Sequence, residues 1–218
     1  MSNVNQEPTD WAFSEVEFRD RVNRAKDALK KAGFQSGICV GPELLNYYAG
    51  YDAHTHFQFQ ALIISTGEDD PTLILRDVDK GRAEVTSWVK DLRVYRHVAE
   101  DPLELVATCV REKLSSRGRI GSDLKAYAFP GDYALRLNEM LAPVKLEDFS
   151  KDLDSIRLVK SEQEMSYINT AAGYATIGLE RAYEIIRPGI TEIQVAGEIE
   201  YAMRKAGSEY PAMPVWVS

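Results

Sequence analysis

Between residues 37 and 148 six short β-prone runs alternate with segments of other character: GICV (37–40), ALIIS (61–65), TLIL (72–75), LRVYR (92–96), RIGSD (119–123) and VKLED (144–148). No other feature limits the possible folds as much. A strand of four or five residues cannot satisfy its backbone alone, so six of them imply a sheet, and that sheet needs layers to cover it. TGEDDP, between the second and third runs, is a turn signal that makes those two an antiparallel hairpin. Helical segments fall between the others. The expectation is a mixed sheet covered by helices, an α/β domain over residues 12–150.

Two of the covering helices are marked at their ends. Ser14 with Glu17 forms a capping box, Phe18, Val22, Ala25 and Leu29 follow at helical spacing, and Gly33 supplies the stop. Asp101, Pro102 and Glu104 are an N-cap, a first-turn proline and a first-turn carboxylate, opening a helix to about residue 115.

Near residue 150 the pattern changes. SKDLDSIRLVKSEQEM reads as a polar connector, and from Ser161 the chain reads as helix. Ser161 and Glu164 form a second capping box; Met165, Ile168, Ala172, Ala175, Leu179, Ala182 and Ile186 then trace one apolar stripe. Thr191 and Gln194 form a third, followed by Ile193, Ala196, Ile199 and Met203 up to Gly207. Pro211 to Val217 reads as a short apolar strand, with Trp216 as a core aromatic. Two striped helices bury little by themselves and want a sheet. The region 151–218 reads as the beginning of a larger domain.

Composition removes several function classes. A formal charge of −8 argues against a nucleic-acid partner, and no apolar run is long enough to span a membrane. MSNVNQEPTDWAF has neither a basic nor an apolar signal region, so the expected address is the cytoplasm. Cys39 and Cys109 lie among apolar residues and read as buried free thiols.

SIRLVKSEQEMSYINTAAGYA followed by IRPGITEIQVAGEIEYAMRKAG resembles the start of the catalytic domain in the creatinase / aminopeptidase P / prolidase family. Arg157, Lys160, Ser161, Glu164, Pro188, Gly189, Thr191 and Glu192 fill the family pattern. Upstream, FRDRVNRAKDALKKAGFQSGICVGPELLNYYAGYD resembles the opening of the creatinase-type N-terminal domain, with Asn46, Tyr47, Tyr48 and Gly50 matching a loop after the first strand. The resemblance implies a creatinase-type N-terminal domain over 12–150 and, over 151–218, the first helices of an α+β pita-bread catalytic domain, apparently truncated. It implies a hydrolase of the Xaa-Pro peptidase type acting on a small peptide or amide, and a homodimer. It also implies two divalent metal ions (Mn, Co or Zn) for the complete enzyme. The family's metal ligands, two Asp, one His and two Glu, would all lie downstream of Ser218, so no catalytic or metal-binding residue is assigned within this chain. The rivals are a creatinase-like, metal-independent hydrolase of a small C–N bond, with a histidine base, and a non-catalytic binding or dimerisation chain.

GYDAHTHFQFQ holds the one histidine pair. As a strand it would place His54, His56, Gln58 and Gln60 on one face and Thr55, Phe57 and Phe59 on the other. Three readings stay open: a half-exposed polar strand face, a metal site with Asp52, or polar groups on a cleft wall. By the resemblance, that cleft is substrate-binding and faces the partner subunit's active site, which makes His54, His56 and Gln58 the candidate substrate-binding residues. His97 reads as a surface residue ending a strand, and Ser161 as a helix cap and not a nucleophile.

Overall fold

The computed structural model describes residues 11–52, 58–114, 118–211 and 213–217. The chain divides into two compact units, residues 1–159 and 160–218.

The first unit contains the expected sheet. Its strands are β1 (Ser36–Cys39), β2 (Ala61–Ser65), β3 (Thr72–Arg76), β4 (Asp91–Tyr95), β5 (Arg119–Ser122) and β6 (Lys145–Asp148), in the spatial order β4-β3-β2-β1-β5-β6. β2 and β3 form the antiparallel hairpin that TGEDDP announced, with Ala61 opposite Ile74. β2 also runs antiparallel to β1, whereas β3–β4, β1–β5 and β5–β6 are parallel. Five strands therefore share one direction and β2 opposes them.

Among the described residues six helices cover the sheet: α1 (Glu15–Ala32), α2 (Pro42–Ala49), α3 (Lys80–Thr86), α4 (Pro102–Lys113), α5 (Gly131–Met140) and α6 (Ser150–Ile156). Strand alternation divides the core between two faces. Leu62, Ile64, Leu73 and Leu75 pack with Phe18, Val22 and Leu29 of α1, Leu44 and Tyr48 of α2 and Leu153 of α6. Ile63 and Ile74 point the other way, to Leu103, Val106 and Val110 of α4 and Leu137 of α5. Because β2 and β3 are buried on both sides, their runs are almost wholly apolar.

The helix ends follow the residues that marked them. Ser14 accepts from the Glu17 amide and Gly33 closes α1 at φ 79°. Asp101 accepts from the Leu103 amide to open α4. Two segments differ from expectation. Asn46, Tyr47 and Tyr48 stand on α2, with Gly50 as its left-handed cap at φ 67°, and do not form a loop. Ser150–Ile156, read as connector, is helix α6, because Leu153 is fully buried and anchors it to the sheet's helical layer.

The second unit comprises α7 (Glu162–Ile185) and α8 (Glu192–Lys205), each opened by a complete capping box, Ser161 with Glu164 and Thr191 with Gln194. Gly178 lets them approach closely: a Cβ there would lie 3.0 Å from both Ile199 and Met203. Their core is small, comprising Ala182, Ile185 and Val195 with Ile190, Ile199 and Val217 alongside. The apolar stripe is largely uncovered, Leu179 and Ile186 each being 60% exposed. Residues 213–217 form no strand, and Trp216, expected in a core, is 80% exposed. An apolar segment becomes a strand only against an open sheet edge, and two paired helices offer none.

Candidate functional site

The strand directions bring several polar side chains to one end of the sheet. The carboxyl ends of β1, β3, β4, β5 and β6 all lie there, and so does the entry into β2 at Ala61. In sheets of this kind ligands bind outside the carboxyl ends of the strands. The segment singled out in the sequence, Asp52 to Gln60, enters the sheet at this end.

Both of its flanks are fastened. On the upstream side the Asp52 carboxylate pairs with Arg82 of α3, whose Nε also donates to the Asp52 carbonyl at 2.9 Å. The Asp52 amide donates to Thr86 Oγ1 at 3.3 Å. On the downstream side the Tyr95 hydroxyl, at the end of β4, donates to the Phe59 carbonyl at 2.6 Å. The Phe59 ring packs 5.5 Å from Phe129 and 5.6 Å from Tyr133, centroid to centroid. Gln60 Nε2 donates to Asp79 Oδ2 at 3.0 Å, and the same oxygen receives Arg76 Nε at 2.6 Å. Burial pushes the Tyr95 phenol up to about 12 and raises that of Tyr51, which lies beside the Gln60 amide. Both hydroxyls are therefore neutral hydrogen-bonding groups and not bases.

The sequence candidates meet this geometry unequally. His54 and His56 lie outside the described residues. Gln58 is half-buried in a bend directly before the fastened pair Phe59 and Gln60. The alternating strand face expected for this stretch does not extend over residues 58–60: β2 begins at Ala61, and Phe59 and Gln60 are both buried, at 5% and 1% exposure. The reason is the network just described, which draws the Gln60 amide inward to a carboxylate. Asp79, Arg76 and Tyr95 were not candidates in the sequence; the only hint was the polar Asp77–Val78–Asp79 stretch directly after an apolar run.

A second polar group stands between β1 and β5, where the chain leaves β1 for one face of the sheet and β5 for the other. Asp123 is 9% exposed. Its carboxylate accepts from the Gly41 and Lys125 amides with Ser150 alongside, and burial nonetheless raises it above the usual carboxylate range. It thereby holds the amide of Gly41, the residue that opens α2 and has no side chain to cap it.

Among the described residues no group of three or more His, Cys, Asp or Glu side chains could hold a metal ion, so these residues do not fit a metal pair. Cys39 and Cys109 are buried free thiols, each raised by burial, which removes nucleophilic character. Ser161 serves α7 as a cap. No helix among the described residues is long and apolar enough to cross a membrane. In the second unit an open depression of about 510 Å³ is lined by Arg187, Gly189, Gln194 and Glu198, and Glu198 there is already held by Arg181 at 2.7 and 3.0 Å.

Residues 21–159 match the Creatinase/Prolidase N-terminal domain. The chain belongs to the creatinase/prolidase family. Two curated members and one solved structure place it further. The uncharacterized hydrolase/peptidase y4tM of Sinorhizobium fredii is 27% identical over 213 residues, 93% of this chain and 53% of that protein. The Xaa-Pro dipeptidase of Lactobacillus helveticus is 25% identical over 169 residues, 75% of this chain and 44% of that protein. The Xaa-Pro dipeptidase structure from Bacillus anthracis superposes with a TM-score of 0.73 at 20% identity, over 87% of this chain and 50% of that one, and so shares the fold. This creatinase/prolidase-family chain thus spans about half the length of the relatives it matches.

Proposed function

We propose that the whole protein is a hydrolase of the Xaa-Pro dipeptidase type, to which this chain contributes the substrate-selecting N-terminal domain and the first helices of the catalytic domain. The observation that carries the reading is the 25% identity to an Xaa-Pro dipeptidase across 75% of this chain. The order of capped helices after Arg157 supports it.

In this reading the paired divalent ions (Mn, Co or Zn) belong to the half of the whole protein that this chain does not span. When bound, such a pair would activate water and polarise the peptide carbonyl. The present chain's part is recognition. His54, His56 and Gln58 are assigned to line the substrate cleft in a homodimer, facing the partner subunit's active site, and the fastened Phe59–Gln60 pair supports a defined placement for Gln58.

The test uses the whole protein, stripped of metal and reloaded with Mn, Co or Zn, against dipeptides ending in proline and the same dipeptides ending in alanine. Metal-dependent release of free proline, with residues 1–218 alone inactive, is the expected result. Metal-independent cleavage of a small C–N substrate such as creatine would move the assignment to the creatinase-like rival. No turnover with any of these would leave a binding or dimerisation chain.

A further inference from the structure

We infer that Tyr95 and Asp79 are positioning residues for substrate choice, acting through Phe59 and Gln60 to fix where Gln58 stands. The inference rests on the reading of Gln58 as a cleft-lining residue and extends it to two side chains that touch no substrate.

Residues 58–60 precede the ladder of β2, whose first pair joins Ala61 to Ile74. Their placement is set from outside, by side chains at the carboxyl ends of two other strands. Tyr95 is the last residue of β4 and binds the Phe59 carbonyl; Asp79 follows β3 and binds the Gln60 amide. Arg76, the last residue of β3, fixes the Asp79 carboxylate in turn. The Tyr95–Phe59 contact is shielded from water, the two residues being 4% and 5% exposed; Gln60 is 1% exposed, and its partner Asp79 is partly buried, with 19% of its side chain exposed.

A core that needed only stability would favour an apolar residue at position 60. A buried amide held on a carboxylate costs desolvation and returns a single geometry. That geometry lies two residues from Gln58. Two hydrogen bonds on consecutive residues define both where the main chain runs and how it is turned, so Gln58 leaves the anchor in a set direction. Losing either bond frees the segment without removing any group that contacts substrate.

The readout must separate positioning from general loss of structure. Partial unfolding lowers the active fraction and scales every substrate equally; a shifted Gln58 changes the ratio of kcat/KM between substrates. The whole metal-loaded protein is assayed with Ala-Pro and Phe-Pro, which differ only in the side chain before proline. Tyr95→Phe and Asp79→Ala are each expected to shift the Ala-Pro to Phe-Pro ratio by about fivefold, the effect of one net hydrogen bond, in the direction of Gln58→Ala. Leu29→Val, a core change on the opposite face of the sheet, controls for stability and leaves the ratio within about twofold. If Gln58→Ala shifts the ratio while Tyr95→Phe and Asp79→Ala do not, the positioning inference is overturned and the Gln58 reading stands. If Gln58→Ala itself has no effect, the Gln58 reading falls and the inference with it. Should one positioning variant fail to fold, the other decides; should both fail, their role is in folding and the inference is rejected.

Discussion

Arg21 binds Tyr47 in two ways at once: its guanidinium donates to the Tyr47 carbonyl at 3.1 Å and lies 4.3 Å from the centre of the Tyr47 ring. The same group covers the Phe13 ring at 3.9 Å and pairs with Glu17 at 2.6 Å, while Arg21 is 1% exposed. One cation thus joins α1 to the last turn of α2. Truncating it leaves a carbonyl and a partly buried carboxylate without this partner. Arg21→Ala is expected to lower stability by about 2–4 kcal/mol, less than for a fully buried pair because the Glu17 side chain is 22% exposed. Arg21→Met, which keeps the apolar stem, costs about half as much. Urea denaturation of both variants measures the difference, and equal losses would contradict the account.

Asp123 gives a pH dependence of defined sign. Burial raises its carboxyl in the folded protein, against the pull of Ser150 and the Gly41 and Lys125 amides. Unfolded, the group ionises at about pH 4. Between that value and the raised native one the folded state holds more proton, so the stability Asp123 contributes is fullest below about pH 4 and declines as pH rises through the native value. Asp123→Asn removes the titration. Wild-type stability minus variant stability should therefore fall from pH 4 to pH 7 in matched urea melts. A rise over that interval would reverse the assignment.

Gly50 is expected to tolerate no side chain. It ends α2 at φ 67°, and a Cβ would sit 2.8 Å from the Phe18 ring and 3.1 Å from the Thr86 carbonyl. Gly50→Ala adds backbone strain and overpacking, together about 2–4 kcal/mol. Thermal melts and a two-substrate assay check it, because Asp52 begins the fastened segment two residues later.

Limited proteolysis should divide the chain unequally. Among the described residues the second unit has only Ala182, Ile185 and Val195 in a buried core, whereas the first has two extensive faces of core. Trypsin is expected to remove α7 and α8 first, at Arg and Lys residues such as Arg181, Arg187 and Arg204, leaving a persistent product that ends near Val159. Mass spectrometry of a time course reads the boundary; initial cutting inside β1–β3 would refute this order.

What the sequence disclosed depended on how local each signal was. β2 and β3 were legible because ALIIS and TLIL are buried on both faces, and their hairpin because its turn lies between them. The caps at Ser14, Asp101, Ser161 and Thr191 were legible because the bond runs to an amide two or three residues away. α2 was not, because eight residues with Pro42 at one end and Gly50 at the other give too little periodicity; tertiary packing of Leu44, Tyr47 and Tyr48 holds it. The anchor of Gln60 was hidden for the same reason at longer range. Asp79 stands nineteen residues away, and only the β2–β3 register brings the two together. Tyr95 reaches Phe59 across a still longer interval, through the parallel pairing of β3 with β4.

The central position of β1 has a consequence for how the molecule is made. Its partner on one side, β2, follows within a short stretch of chain, but the partner on the other side, β5, is separated by 84 residues, as in the bond from Ser122 to the Ile38 carbonyl. At ~5–20 residues per second, synthesis takes roughly 4–17 seconds to deliver that second neighbour. From the completion of β4 until β5 follows, the nascent chain carries a four-strand half-sheet with β1 as its unpaired apolar edge, the stage at which self-association between growing chains is most exposed.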